Sequence, residues 1–379
     1  MKTQQFIYFA TPDQKINIQK FSFTPDLILV FASRGMLEST PIINLLKHEY
    51  PKSILTGCST SGEINGINVN DNSLTTTAVK FSKTKLNYHE VNIANYNSSF
   101  EAGVSLVDKL VADDLKHVFV LSEGLQVNGT DLVNGMRSCL PEGVNATGGL
   151  AGDGALFEKT LVISNLGKAQ SGLITAIGFY GNNIQIGYGS LGGWDSFGIE
   201  RLVTKSDGNI LYEIDNQPAL ELYKSFLGDK AEELPSSGLL FPLSMRTESD
   251  SEPVVRTILA INEEKQSLTF AGDIPEGTYV KLMKANIDRL INGAENAAEV
   301  SVNPLTEKTA QLAILISCVG RKLVLKQMVE EEVEAVQEVV GDHAMLTGFY
   351  SYGEMAPFLA GAKCELHNQT MTITTFNEQ

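Results

Sequence analysis

Three times along the chain an unbroken apolar run is followed by apolar residues at helical spacing, then by a second short run ending in Thr-Gly. The first copy is "DLILVFASRG" at 26–35, then "LESTPIINLLKHEYP" with Ile42, Ile43, Leu45 and Leu46 at helical spacing and Pro51 as its stop, then "SILTGCSTSGE". The second is "KHVFVLSEG" at 116–124, "GTDLVNGMRSCLPEG" at 129–143 and "VNATGGLAGDG" at 144–154. The third is "QLAILISCVGR" at 311–321, a helix expected from Leu323 through Val340, and "HAMLTGFYSYGE" at 343–354. Each reads as strand, helix, strand, turn. Ser33, Ser122 and Ser317 mark the end of each first strand, and Thr56-Gly57, Thr147-Gly148 and Thr347-Gly348 the end of each second. Further strands are expected at 72–81, 159–165 and 369–376, where Thr mixes with apolar residues.

"LTGCSTSGE" at 55–63 and "LTGFYSYGE" at 346–354 share Leu, Thr, Gly, Gly and Glu at the same places, which points to internal duplication. Copies set around a shared centre would bring their Gly-rich ends to one cavity, and ligands favour such strand ends. Between the second and third copies the composition changes. Residues 171–215 are rich in strand formers and glycine, with "KSDGN" as a hairpin turn; "QPALELYKSFLG" at 217–228 reads as a helix opened by Pro218 and closed by Gly228. "VVRTILAINEEKQSLTFAG" and "GTYVKLMKA" add strands, with loops at 229–238 and 246–253. The expected class is α/β: duplicated strand-helix-strand units with Gly-rich strand-end turns and mixed sheets in two packed domains, 1–215 and 216–379, the last strand at about 369–376.

Charge narrows the partners. The 379 residues carry 45 Asp and Glu against 29 Lys and Arg, a net charge of −16, which disfavours nucleic acid and anionic membranes. The densest charge run, "VEEEVEAV" at 329–336, reads as a solvated helix face. The apolar run from Phe6 to Ala10 is too short for a signal-peptide core, and nowhere do about 18 apolar residues run together. The expectation is a cytoplasmic protein without membrane insertion. Cys58, Cys139, Cys318 and Cys364 lie far apart and fit reduced thiols.

Candidate chemistry sits in the repeated turns. Glu63 and Glu354 follow glycine at matching places, and Asp153 follows Gly152 in the middle copy. They could accept bonds from a ligand's ammonium or amides, or bond their own turns. Arg34 and Arg321 follow first strands and could hold a carboxylate. With both signs present the cavity would suit a zwitterion such as an amino acid. Thr56, Thr147 and Thr347 supply hydroxyls, and Tyr350, Tyr352 and Trp194 flat surfaces for a pocket wall or an interface. Catalytic patterns are missing. There is no Gly-x-Ser-x-Gly elbow, His-Glu-x-x-His, Gly-x-Gly-x-x-Gly after a first strand or phosphate-loop lysine, and "GLAGDG" at 149–154 lacks the Lys-Ser/Thr ending of a phosphate loop. A non-enzymatic role is expected.

"GCSTSGEI", "TGGLAGDG", "TKSDGNILYEIDNQPALELY" and "GFYSYGEMAP...HNQTMTITTFNE", in this order, resemble the FIST family over nearly the whole chain. The resemblance implies a cytoplasmic two-part sensory domain for a small ligand, working with a histidine kinase, a chemoreceptor or a cyclic-nucleotide signalling protein. Some members resemble haem-based nitric-oxide sensors, and haem needs an axial ligand. Of His48, His89, His117, His343 and His367, the last two flank the third Gly-rich turn and are the candidates if haem binds. The remaining alternative is a structural interaction protein with no ligand.

Overall fold

In the computed structural model the described residues are 1–9, 17–234, 236–246, 253–358 and 361–379. Residues 247–252 of the expected loop at 246–253 thus lie outside them.

Three six-stranded sheets share one plan. The first runs Lys2–Phe9, Ser73–Lys80, Leu27–Ala32, Ile54–Ser59, Val162–Ser164, Lys168–Gln170. The second runs Lys85–Asn92, Leu173–Tyr180, Leu115–Ser122, Asn145–Leu150, Gly353–Pro357, Cys364–His367. The third runs Ile184–Leu191, Met371–Glu378, Leu312–Cys318, Met345–Ser351, Glu63–Asn65, Asn68–Asn70. In each the third and fourth strands are parallel and all other neighbours antiparallel. The last two strands of every sheet are a hairpin exported by another unit: the first unit gives its hairpin to the third sheet, the third to the second, and the second to the first. The exchange closes a ring, so no unit is complete without the others.

The repeated Thr-Gly has a geometric cause. Gly57, Gly148 and Gly348 pair in register with Val30, Val120 and Leu315. A Cβ at each would stand 1.8, 1.9 and 1.8 Å from the partner's carbonyl oxygen, so only glycine fits. The preceding threonines tie unit to unit. Thr56 bonds Thr175 at 3.0 Å, Thr147 bonds Thr374 at 2.8 Å and Thr347 bonds Thr77 at 2.8 Å, each pair joining two units.

Apolar runs lie between two layers, as fully buried strands require. Inner faces meet in one core holding Leu29, Phe31, Phe119, Leu121, Ile316 and Phe349, with the Phe31 and Phe349 rings 4.8 Å apart. Outer faces are covered by helices Ile42–Glu49, Gly129–Cys139 with Ser99–Asp108, and Ile287–Val302 with Val329–Val340.

A curled antiparallel sheet is inserted into the third unit, between Ile184–Leu191 and Ile287–Val302. Its order is Val254–Arg256, Leu243–Arg246, Tyr279–Lys284, Asp195–Asp207, Ile210–Ile214, Ser267–Phe270, Ile258–Asn262. The hairpin turns at Gly208 with φ +55°, and helix Ala219–Leu227 starts after Pro218 and ends at Gly228 with φ +56°.

Two expectations change. The helix from Leu323 to Val340 is two helices, Val319–Leu325 and Val329–Val340, separated where Lys326 takes a left-handed φ of +53°. In the middle copy 159–165 contains only the three-residue Val162–Ser164 of the exported hairpin, and the counterpart of Ser73–Lys80 is Leu173–Tyr180.

Candidate functional site

The three Gly-rich turns do converge. Ser61 N donates to Tyr350 O at 2.8 Å, Tyr350 N to Gly62 O at 2.9 Å, Gly152 N to Ser59 O at 2.9 Å and Tyr352 N to Leu150 O at 3.3 Å. They interlock and leave no room between them: a Cβ on Gly152 would reach within 2.4 Å of Ser61 Oγ.

Glu63 and Glu354 serve this junction. The Glu63 carboxylate accepts from the Thr60 hydroxyl and from Ser73 N and Oγ, at 3.1 and 2.7 Å for the last two. Glu354 accepts from the Ser351 hydroxyl and from Thr370 N and Oγ1, at 3.3 and 3.1 Å for the last two. Each carboxylate thus pins the start of its exported hairpin to residues near the start of its own return strand. Thr56 and Thr347 are spent on the cross-unit bonds described above. Burial raises Glu63 to about 7 and Glu354 to about 8, against hydroxyl and amide donors that pull the other way.

The consequence for stability has a definite sign. A Glu in the unfolded chain loses its proton near 4.5, whereas the folded sites keep theirs to about 7 and about 8. Their contribution is therefore fully present below pH 4.5 and is lost as pH rises to about 8. In urea unfolding, the double variant Glu63→Gln, Glu354→Gln should match wild type at about pH 4 and exceed it by at least about 1 kcal/mol at about pH 8. Parallel pH profiles would refute this.

Arg321 is wholly buried. Its Nε and Nη2 donate to Glu332 Oε2 at 3.0 and 2.7 Å, Nη2 also to Leu290 O at 2.7 Å, and Nη1 to Gly192 O. It straps the points where the chain leaves for the inserted sheet and returns. Glu332 also accepts from Tyr350 OH at 2.6 Å and Ser317 Oγ at 3.1 Å. The "VEEEVEAV" face is accordingly not all solvated: Glu330, Glu331 and Glu334 are exposed, but Glu332 is 0% exposed because Arg321 compensates it. Trp194 is also buried, its Nε1 donating to Gln369 O at 2.8 Å.

Arg34, Asp153 and Tyr352 do meet. Ser33 caps helix Arg34–Ser39 by accepting from Met36 N, which places Arg34 at the first helical position. Arg34 Nη1 donates to Asp153 Oδ2 at 2.9 Å, and the Tyr352 hydroxyl donates to Asp153 Oδ1. Asp153 also accepts from Phe157 N at 2.9 Å, Glu158 N at 3.1 Å and Lys159 N at 3.0 Å. These bonds hold Phe157 at a left-handed φ of +55°, unusual for an aromatic residue and the kind of strain that surrounding structure must impose. The result is a stack of the Phe157 and Tyr352 rings at 4.3 Å and 14°.

That stack faces a cleft between the three-unit body and the inserted sheet. A cavity of about 260 Å³ has Gln126, Asn128, Phe157 and Tyr352 on one wall and Asn209, Leu259, Phe270 and Asp273 on the other. A second, more apolar cavity of about 480 Å³ shares Phe157 and Leu259 and adds Ala155, Leu239, Ile258, Leu323 and Lys326. Sequence reasoning found Tyr352 but missed Phe157, Leu259 and Asp273; the only hint was the long Gly-rich segment that carries Phe157.

The histidines fit haem poorly. His367 is 2% exposed, places Nε2 2.9 Å from Ala356 O and packs on Phe358, and its pKa is lowered by burial to about 4. His343 is exposed before Met345–Ser351, at the end of that strand away from its turn. Neither lines the two cavities above. Among the described residues no group of three or more His, Cys, Asp or Glu is set to hold a metal ion, and no helix is long and apolar enough to cross a membrane. All four cysteines are free thiols.

An uncharacterized protein of Methanocaldococcus jannaschii is 25% identical over 195 residues, which is 43% of this chain and 36% of that protein. The match thus spans little more than a third of the relative. Residues 26–217 match the FIST N domain and residues 219–357 the FIST C domain, so the chain belongs to the FIST family, whose domains are small-ligand sensory domains of signalling proteins.

Proposed function

We propose that this protein is a cytoplasmic, non-enzymatic sensor of a small amino-acid-like ligand, bound in the cleft where the Phe157 and Tyr352 stack faces the inserted sheet. The observation that carries the reading is the relay from Arg34 through Asp153 to Tyr352, which orients that stack at a junction of two bodies. Aromatic faces and the Asp273 carboxylate suit an ammonium group, while the amide nitrogens of Gln126, Asn128 and Asn209, each already donating once to Ser171, Asp273 and Phe270, carry a second N–H for a carboxylate. A ligand touching both walls binds one relative placement better than others, and this difference is what drives a signal. The output then passes to a separate partner of the histidine kinase, chemoreceptor or cyclic-nucleotide class. Glu63, Glu354, Arg321, Thr56 and Thr347 are not in the lining of this cavity and do not touch the ligand.

The test is native mass spectrometry with the twenty amino acids, paired with an absorption spectrum. An adduct is expected on wild type, with affinity at least about tenfold weaker in Phe157→Ala because the aromatic face is gone. Affinity that survives Phe157→Ala would remove the cleft from the account, and a Soret band with a matching mass would replace the ligand class by haem.

A further inference from the structure

A separate cavity of about 450 Å³, within the about 300–1,000 Å³ range of small-molecule sites, lies further along the same body-to-insert junction. Helix Gly129–Cys139 and strand Cys364–His367 form one wall, and strands Leu243–Arg246 and Val254–Arg256 the other. Its lining is apolar at Val133, Met245, Val254, Phe358 and Leu366, yet it gathers Arg137, Arg246, Arg256 and Lys363 against one carboxylate, Glu365, in a chain whose net charge is −16.

Arg256 is the unusual member. It is 5% exposed, with Nε donating to Asp273 O at 3.2 Å and Nη1 to Leu366 O at 3.0 Å. Among the described residues no carboxylate forms an ion pair with it, and its Nη2 bonds to none of them. Asp273 and Glu365 act on it only from beyond contact, and Asp273 is turned toward Asn128 Nδ2 at 3.1 Å. A buried guanidinium served by carbonyls alone keeps an uncompensated charge, which is costly unless an anion meets it. Burial lowers its pKa to about 10, so it remains a cation at neutral pH.

The opposite wall is complementary. Thr130, Val133, Asn134 and Arg137 recur at helical spacing along one face of Gly129–Cys139 and all line the cavity. Thr130 Oγ1 is sealed from solvent with no hydrogen-bond partner. Arg137 reaches Glu365 only at 3.8 Å, and Lys363 stands exposed beside it. Arg246 is already held by Glu200 at 2.8 and 2.6 Å and is not needed.

We propose that this cavity binds a small organic anion with an apolar body, its carboxylate or phosphate head meeting Arg256 and Arg137 with Lys363 at the mouth. The apolar body lies against Val133, Met245, Val254 and Phe358. An acidic protein excludes most anions by its overall field, so a local cationic cavity selects for those that also bury apolar surface.

Calorimetric titration with octanoate, octyl phosphate and 1-octanol tests this. At least one of the two anions should bind saturably, with octanol at least about tenfold weaker, and their ratio tells which head the site takes. Arg256→Met should abolish measurable binding. Should that variant fail to fold, the double variant Arg137→Gln, Lys363→Gln leaves the buried residue intact and should still cost about tenfold. Phe157→Ala should leave anion affinity within about twofold, since that ring is not in this lining. Equal affinity for octanol, no saturable binding of either anion, or indifference to the double variant would overturn the assignment. A loss in Phe157→Ala would move the anion to the other cleft and overturn it equally.

Discussion

Gly348→Ala is expected to destabilise the protein by about 4 kcal/mol or more, a large share of a native protein's margin of about 5–15 kcal/mol. The added Cβ would stand 1.8 Å from Leu315 O, 2.7 Å from the carbonyl carbon and 2.9 Å from the amide nitrogen. None of these is the end of a flexible side chain, so the parallel pair must separate and lose ladder bonds on both sides. Gly57→Ala and Gly148→Ala should cost similar amounts, because Val30 and Val120 present their carbonyl oxygen and carbon at nearly the same distances. Gly35→Ala is the control: it lies in helix Arg34–Ser39 with nothing within 4 Å of its would-be Cβ, and should be neutral or stabilising by up to about 1 kcal/mol. Chemical unfolding of the four variants decides the matter. Equal small effects at all four sites would mean that the close approach is not what selects glycine.

Arg321→Met is expected to cost about 3–5 kcal/mol, the range for removing one partner of a buried ion pair. It leaves Glu332 with Tyr350 and Ser317 as donors but no countercharge, and frees the carbonyls of Gly192 and Leu290. The double variant Arg321→Met, Glu332→Gln should recover at least about half of the loss, since the stranded charge has gone. Because Gly192 and Leu290 bracket the inserted sheet, the single variant should also raise hydrogen exchange in 192–195 and 287–293 before the rest of the third unit opens. Uniform exchange across that unit would argue against the strap.

The repeat was legible because it rests on local rules: apolar runs of strand length, helical spacing between them, and a glycine forced by close approach. The FIST resemblance was legible for the same reason, in the order of those turns. Hairpin export was not, because the pairing of Glu63–Asn65 with Met345–Ser351 joins residues three quarters of the chain apart, and three-residue strands carry too little alternation to announce themselves. The matching Glu63 and Glu354 were seen, but sequence could not decide between ligand and turn; burial and the Ser73 and Thr370 donors supply the turn roles. Asp153 looked like their counterpart and is used differently, since a longer loop in the middle copy turns its carboxylate to Arg34, Tyr352 and three backbone amides. Glu332 was hidden in a run of glutamates whose neighbours really are solvated. The opposite wall of the cleft, with Leu259 and Asp273, comes from the inserted sheet, whose placement depends on distant contacts.

Whether a ligand sits in the cleft between the three-unit body and the inserted sheet is decided by hydrogen–deuterium exchange with and without a mixture of the twenty amino acids. Protection is expected together in 152–159 and 258–273, the two walls that Phe157 and Asp273 mark. Protection of one wall alone, or of the turns at Glu63 and Glu354 with the cleft unchanged, would contradict it.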